Sequence, residues 1–353
     1  MYGTYGTDGM EKMVTVRDIA RVSGVSPATV SRTLSGKGNV NAETRRKVLF
    51  AARQLGYSKP IPELPGDGDT WQRHVAVVFP RDRSFYQNKS SGLEVGWCFD
   101  EDVFDGIEQI ARQTDYELQL IICTYDDESS QLPSSLYTDN LCGYIVVGGV
   151  MPDHVMKVLM ARNLPIVTVG IAYSPDIDAV VADNLRGMKE VIGHMFEAGA
   201  RRIGLLNGPK NSETSKDKLA GYYLAHGEQE VGIAEELVKH GDFSFQSGYT
   251  LALELLEEGV DGIACAYDAM ALGALQAIME KGLQVPRDIL LAGYGNEISN
   301  ISLSPTITTV AVPKQVMGKV AFERLIQQVT QGPCTPVRIT LPTEMVPRQS
   351  TER

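Results

Sequence analysis

Apolar positions near the start of the chain recur three and four residues apart, in short runs broken by turn residues. Ile19, Ala20 and Val22 give the apolar side of a first helix, with Thr15 as its cap and Asp18 in the reciprocal capping position. Gly24 permits a sharp turn. Ser26 caps a second helix, and Pro27 sits at its first position, where a missing N–H costs nothing. Val30 and Leu34 fall one turn apart on one face. A third helix runs from the cap Asn41 to Gly56, with Val48, Ala51, Ala52 and Leu55 at helical spacing. Two short helices about a tight turn, backed by a third, form a helix-turn-helix, whose second helix is shaped for a DNA major groove.

Beyond residue 70 the pattern changes. Apolar runs at 74–79, 118–123, 144–147, 166–169, 203–206, 262–266 and 289–292 read as strands. Amphipathic stretches at 101–114, 152–162, 185–198, 217–230 and 269–281 read as helices between them. Strands separated by helices of this length predict parallel sheets covered on both faces. A body of this size makes two such sheets more naturally than one. The fold class is thus an N-terminal all-α domain followed by an α/β body of two doubly wound parallel-sheet subdomains.

Charge separates the same two parts. Residues 13–59 carry nine Lys/Arg against two acids, a net +7, in a chain whose net charge is −11. A basic head on an acidic body fits a module that touches phosphates and a body that avoids them. No apolar run reaches membrane-spanning length, and residues 1–13 lack an apolar signal core, so the expected location is cytoplasmic with no membrane partner. The five cysteines, Cys98, Cys123, Cys142, Cys265 and Cys334, are widely spaced, odd in number and form no Cys-x-x-Cys pair, so they suggest neither a zinc site nor a disulfide framework. Cys123 and Cys265 lie in apolar, strand-like runs and read as buried thiols. An enzyme is disfavoured: Gly148-Gly149 is too short for a phosphate loop, and His74, His154, His194, His226 and His240 are scattered, with surface positions the default. No cofactor or metal is expected.

Residues 14–57 resemble the DNA-binding head of the LacI/GalR family of bacterial transcription regulators, in the words Val-Arg-Asp-Ile-Ala, Gly-Val-Ser, Thr-Val-Ser-Arg, Glu-Thr-Arg and Leu-Gly-Tyr. The body continues the likeness through Asp183-Asn184, Ala200-Arg201-Arg202-Ile203-Gly204, Asp268 to Ala274 and Leu303 to Val310. The resemblance implies a repressor that binds a palindromic DNA operator as a homodimer, with a periplasmic-binding-protein-like sensor for a small-molecule, sugar-like effector. The alternative is a solute-binding protein without a regulatory role; the head argues against it. The implied domains are a DNA-binding domain at 13–59, a linker at 60–72 and a sensor at 73–345. Within the sensor, the N-subdomain spans 73–196 and 297–318 and the C-subdomain 197–296 and 319–345, with crossings near 196, 297 and 319.

The resemblance also implies sites. Thr15, Ser26, Pro27, Ala28, Thr29, Ser31, Arg32 and Asn39 are the DNA-binding candidates, and Arg32 is the long donor suited to a guanine edge. Asp183, Lys218, Phe243 and Asp268 are the effector candidates; acids and a cation hydrogen-bond hydroxyls, and an aromatic face covers C–H surface. Three departures stand out. Lys218 replaces the usual Arg and offers a point charge instead of a planar fork. Gly295 stands where an acid is common, and Tyr86, Trp97 and Phe99 occupy the stretch where many relatives have Asn-Pro-Phe. In the linker, Pro60, Pro62, Pro65, Gly66 and Gly68 oppose the usual hinge helix, with Leu64 as the remaining candidate wedge for the minor groove.

Overall fold

The computed structural model describes residues 14–35, 40, 42–54, 57, 73–82, 98–125, 131–297, 303–332 and 334–353. The chain separates into two compact units, Met1–Gln72 and Arg73–Arg353. The linker with Leu64, Asn39, Asn41, Leu55, Gly56, Tyr86 and Trp97 lie outside the described residues.

The first unit holds α1 (Val16–Ser23), α2 (Pro27–Leu34) and α3 (Ala42–Gln54). Thr15 and Asp18 form the reciprocal cap of α1, and Gly24 ends it in the left-handed conformation at φ 66°. Ile19, Ala20, Val30, Val48, Ala51 and Ala52 are buried together, with Val16, Val25, Leu34 and Tyr57 packed around them. Val22 differs from expectation and is 48% exposed. The inward face of α1 follows Val16, Ile19, Ala20 and Ser23, and Val22 falls off that stripe.

The second unit has two lobes. The first lobe is a six-stranded sheet in the order β11-β5-β4-β3-β1-β2, every pair parallel. Its strands are β1 (His74–Asp82), β2 (Glu117–Tyr125), β3 (Leu141–Val147), β4 (Ile166–Val169), β5 (Asp178–Ala182) and β11 (Arg338–Leu341). Alternation along β1 sends Val75, Val77 and Phe79 to one face, against α4 (Cys98–Ala111) and α10 (Lys314–Gln331). Ala76 and Val78 face the other side, with α5 (Asp153–Ala161). The second lobe is the parallel sheet β7-β6-β8-β9, from β7 (Val238–His240), β6 (Ile203–Asn207), β8 (Gly262–Cys265) and β9 (Leu290–Ala292). Helices α6 (Asn184–Glu197) and α7 (Glu213–Glu228) cover one face; α8 (Phe245–Glu257) and α9 (Asp268–Glu280) cover the other. Single parallel bridges link Ala292 to Thr308 and Gly295 to Ala311, at β10 (Thr309–Ala311), which pairs with β12 (Glu344–Val346).

The sequence-based crossings need correcting. The chain passes between lobes at 183, 312–313 and 342–343 rather than near 196, 297 and 319. Helix α6 buries Met188, Val191, Ile192 and Met195 against Ile203, Leu205 and Tyr222 of the second lobe. Helix α10 buries Met317, Ala321, Phe322 and Leu325 in the first lobe, and β11 extends that lobe's sheet beside β5. Helices clasp closely where glycines meet backbone: a Cβ on Gly318 would stand 2.0 Å from the Val103 carbonyl oxygen, and one on Gly106 2.0 Å from that of Gln315.

Candidate functional site

The exposed face of α2 carries Pro27, Ala28, Ser31 and Arg32, while Val30 and Thr33 turn inward. Ser26 Oγ accepts a hydrogen bond from the Thr29 amide at 3.3 Å and shares one with Thr29 Oγ1 at 2.9 Å. Thr15 Oγ1 accepts from the Asp18 amide. These two hydroxyls therefore fix helix starts, which orients the reading face. Arg32 reaches back to the Ala28 carbonyl (3.4 Å) and to Thr29 Oγ1 (3.3 Å), and is the long donor on that face. Arg17, Arg21 and Lys47 are also exposed in this unit, in keeping with phosphate contact.

In the sensor, three of the four effector candidates meet near the C-terminal ends of the second lobe's strands, where open α/β sheets bind ligands. Lys218, on α7, is 6% exposed. Its Nζ donates to the Ala266 carbonyl at 2.8 Å and stands 4.2 Å from the Tyr294 ring centre and 5.6 Å from that of Phe243. Phe243 holds a left-handed φ of 67°, an unfavourable conformation for an aromatic residue, and packs edge-on to Tyr267. Its ring occupies the space beside Gly208, where a Cβ would come within 2.1 Å of it. Asp268 is fully buried; Oδ1 accepts from Thr309 Oγ1 and Oδ2 from the Glu297 amide, both at 2.7 Å. The direct ligand acceptor expected there is thus engaged with the chain itself.

Asp183 stands at the first crossing. Its Oδ1 accepts from the Arg186 amide and caps α6, its amide donates to the Leu341 carbonyl, and its own carbonyl accepts from Thr343. It ties two crossings together. Between the lobes, Ser212 Oγ donates to the Gly149 carbonyl at 3.3 Å, and Arg338 lies 3.9 Å from Asp217. A cavity of about 40 Å³ there, lined by Gly170, Val181, Glu213, Thr214, Asp217 and Arg338 among others, has room for a water but not for a sugar.

Sequence reasoning missed a charged cluster of Asp102, Lys314 and Glu297 at the second crossing. A signal was present: Lys314 opens α10, where the helix dipole disfavours a cation. The histidine default also fails once. His226 is 2% exposed, bonded to the Tyr222 carbonyl and packed against Phe196 and Tyr222. Cys123 and Cys265 are buried as expected, and so is Cys142. Phe99 packs against the core of the first lobe.

Burial pushes the Lys218 ammonium down to about 7, against the opposing pull of Asp268 and Asp217. A base whose folded pKa lies below its unfolded value of 10.5 binds fewer protons when folded, so its penalty fades as pH rises through that window. The stability difference between the wild-type chain and Lys218→Met should therefore move in favour of the wild type from pH 7 to 10. Denaturation midpoints of both chains across that range check it, and a pH-independent difference would contradict it.

A DNA-reading head joined in one chain to a two-lobed ligand-binding body defines the class of a transcription regulator that senses a small molecule directly. Residues 15–59 match the family described as bacterial regulatory proteins, lacI family, and residues 192–351 match the periplasmic binding protein-like domain. The chain is 29% identical to the HTH-type transcriptional repressor PurR of Klebsiella pneumoniae over 323 residues, covering 90% of this chain and 91% of that one. It is 29% identical to the HTH-type transcriptional regulator MalR of Streptomyces coelicolor over 354 residues, covering 95% of each. Its fold matches the transcriptional regulator CelR–cellobiose complex with a TM-score of 0.68 and 25% identity, over 96% of this chain and 99% of that one. The chain thus carries a LacI-family DNA-binding domain followed by a periplasmic binding protein-like domain, the pairing found in repressors that bind DNA and are controlled by small-molecule effectors.

Proposed function

We propose that this chain represses transcription from a palindromic operator as a homodimer in the cytoplasm, and that its effector is a sugar or sugar derivative. The observation that carries the DNA half is the exposed face of α2. Pro27 and Ala28 offer apolar contact, and Arg32 one turn on can pair bidentately with a guanine. The effector half rests on Lys218, Phe243 and their neighbours, where a donor and an aromatic edge adjoin, with Asp268 and Asp183 bracing the loops and crossings. The sugar in the CelR complex supports that ligand class.

Selection from random DNA with the full chain yields the operator. Arg32→Ala should then weaken binding by about 1–3 kcal/mol and relax preference at one base pair in each half-site. Uniform weakening across operator variants would make Arg32 a phosphate contact and overturn the readout. A panel of mono- and disaccharides tested for an effect on operator binding decides the effector class; no response to any of them overturns it.

A further inference from the structure

At the second crossing one buried lysine joins the two lobes. The Lys314 side chain is 5% exposed, with Nζ 3.0 Å from Asp102 Oδ2 and 2.7 Å from Glu297 Oε1. Asp102 lies on α4, in the first lobe with Lys314 itself; Glu297 follows β9, in the second lobe. The Glu297 side chain is fully buried, and neither carboxylate oxygen has a geometrically formed hydrogen bond among the described residues, so Lys314 meets it as an ion pair. Burial holds the Glu297 carboxyl above the usual carboxylate pKa, while the Lys314 charge pulls it down.

Lys314 cannot drift from the first lobe. Gly106 and Gly318 bring α4 and α10 into close backbone contact, which packs the helix of Lys314 tightly into the first lobe. A rotation of the second lobe would then change the contact between Lys314 and Glu297. Glu297 is in turn coupled to the effector region, because its amide holds Asp268 Oδ2 while Asp268 Oδ1 holds Thr309 at the start of β10, just before the crossing. Two other side-chain contacts between the lobes among the described residues are weaker, a 3.3 Å hydroxyl bond and a 3.9 Å ion pair that is partly exposed. A buried ion pair contributes little net stability compared with apolar packing, but it fixes geometry closely.

We propose that Lys314 is a positioning residue: through Glu297 it sets the arrangement of the two lobes in the effector-free sensor, and so its affinity for operator. The inference rests on the regulator reading above and goes beyond it. An effector can act only by preferring one lobe arrangement, and this contact joins the two lobes.

The test uses the full chain without added ligand. Spin labels at Gln109→Cys on α4 and Gln276→Cys on α9, both exposed sites, report the distance between lobes. The background is Cys98→Ser and Cys334→Ser, and labelled chain is diluted with unlabelled chain to suppress distances between copies. Lys314→Met and Glu297→Gln should each shift or broaden the distance distribution and change affinity for the selected DNA on the order of tenfold. Lys314→Arg should preserve both. Unchanged distances and affinity in Lys314→Met, whatever its melting temperature, would overturn the proposal. Should Lys314→Met not fold, Glu297→Gln and the paired Lys314→Met, Glu297→Leu variant decide by the same two readouts. A wild-type chain that selects no DNA would sink the regulator reading and leave the distances to decide the role of Lys314.

Discussion

Replacing Ile19 with Ala will unfold the DNA-binding head and abolish operator binding, while the sensor's thermal transition stays in place. Ile19 is fully buried at the centre of a small core shared with Val30, Val48, Ala51 and Ala52. Truncating a buried Ile to Ala costs about 2–5 kcal/mol. A core this small rarely supplies more than about 3–5 kcal/mol. The loss therefore matches the whole stability of the head. The sensor is a separate compact unit with its own cores and shares none of them. Calorimetry resolves the transitions, and a gel shift with the selected operator reads the function. Wild-type affinity in this variant would contradict the account.

A comparable loss is expected in the sensor from Gly318→Val. The added Cβ would meet the Val103 carbonyl oxygen at 2.0 Å, backbone against backbone, so no side chain can turn aside. Overpacking costs about 1–3 kcal/mol where neighbours can yield, and more where they cannot. Helices α4 and α10 must part, opening the core around Val103, Ile107, Met317 and Phe322. Gly193→Ala on α6 is the control. A Cβ there meets nothing within 4 Å, and the change should stabilise by about 0.5–1 kcal/mol. Thermal melts of the two variants should move in opposite directions; a Gly318→Val sensor melting with the wild type would refute the clamp.

The features legible in the sequence were local ones. Thr15 with Asp18, Gly24, and Ser26 with Pro27 each act within a turn of where they stand, and each caps or turns the chain as read. The parallel strands were equally plain, because β3 and β4 are buried along their whole length and read as continuous apolar runs. The crossings were not legible. The apolar stripe of α6 says that it covers a sheet, and nothing in the stripe says which sheet. Asp268 carries a motif that marks it as an effector residue, yet its partners are Thr309 and Glu297, supplied by segments far along the chain. Lys314 likewise acquires meaning only when folding brings Asp102 and Glu297 to it.

The threading of the chain has a consequence for its synthesis. The second lobe is almost contiguous, running from Asp183 to Val312, whereas the first lobe takes α10 and β11 from the far end. A ribosome that has released residue 312 has supplied nearly all of the second lobe. It has supplied only part of the first, whose face of Val75, Val77, Val103 and Ile107 still waits for Met317, Phe322 and Leu325. The lobe translated first is therefore still incomplete when the second is nearly whole. For that interval the nascent chain displays a sticky apolar sheet face, the kind of surface that recruits chaperones and makes slow translation through 314–341 hazardous.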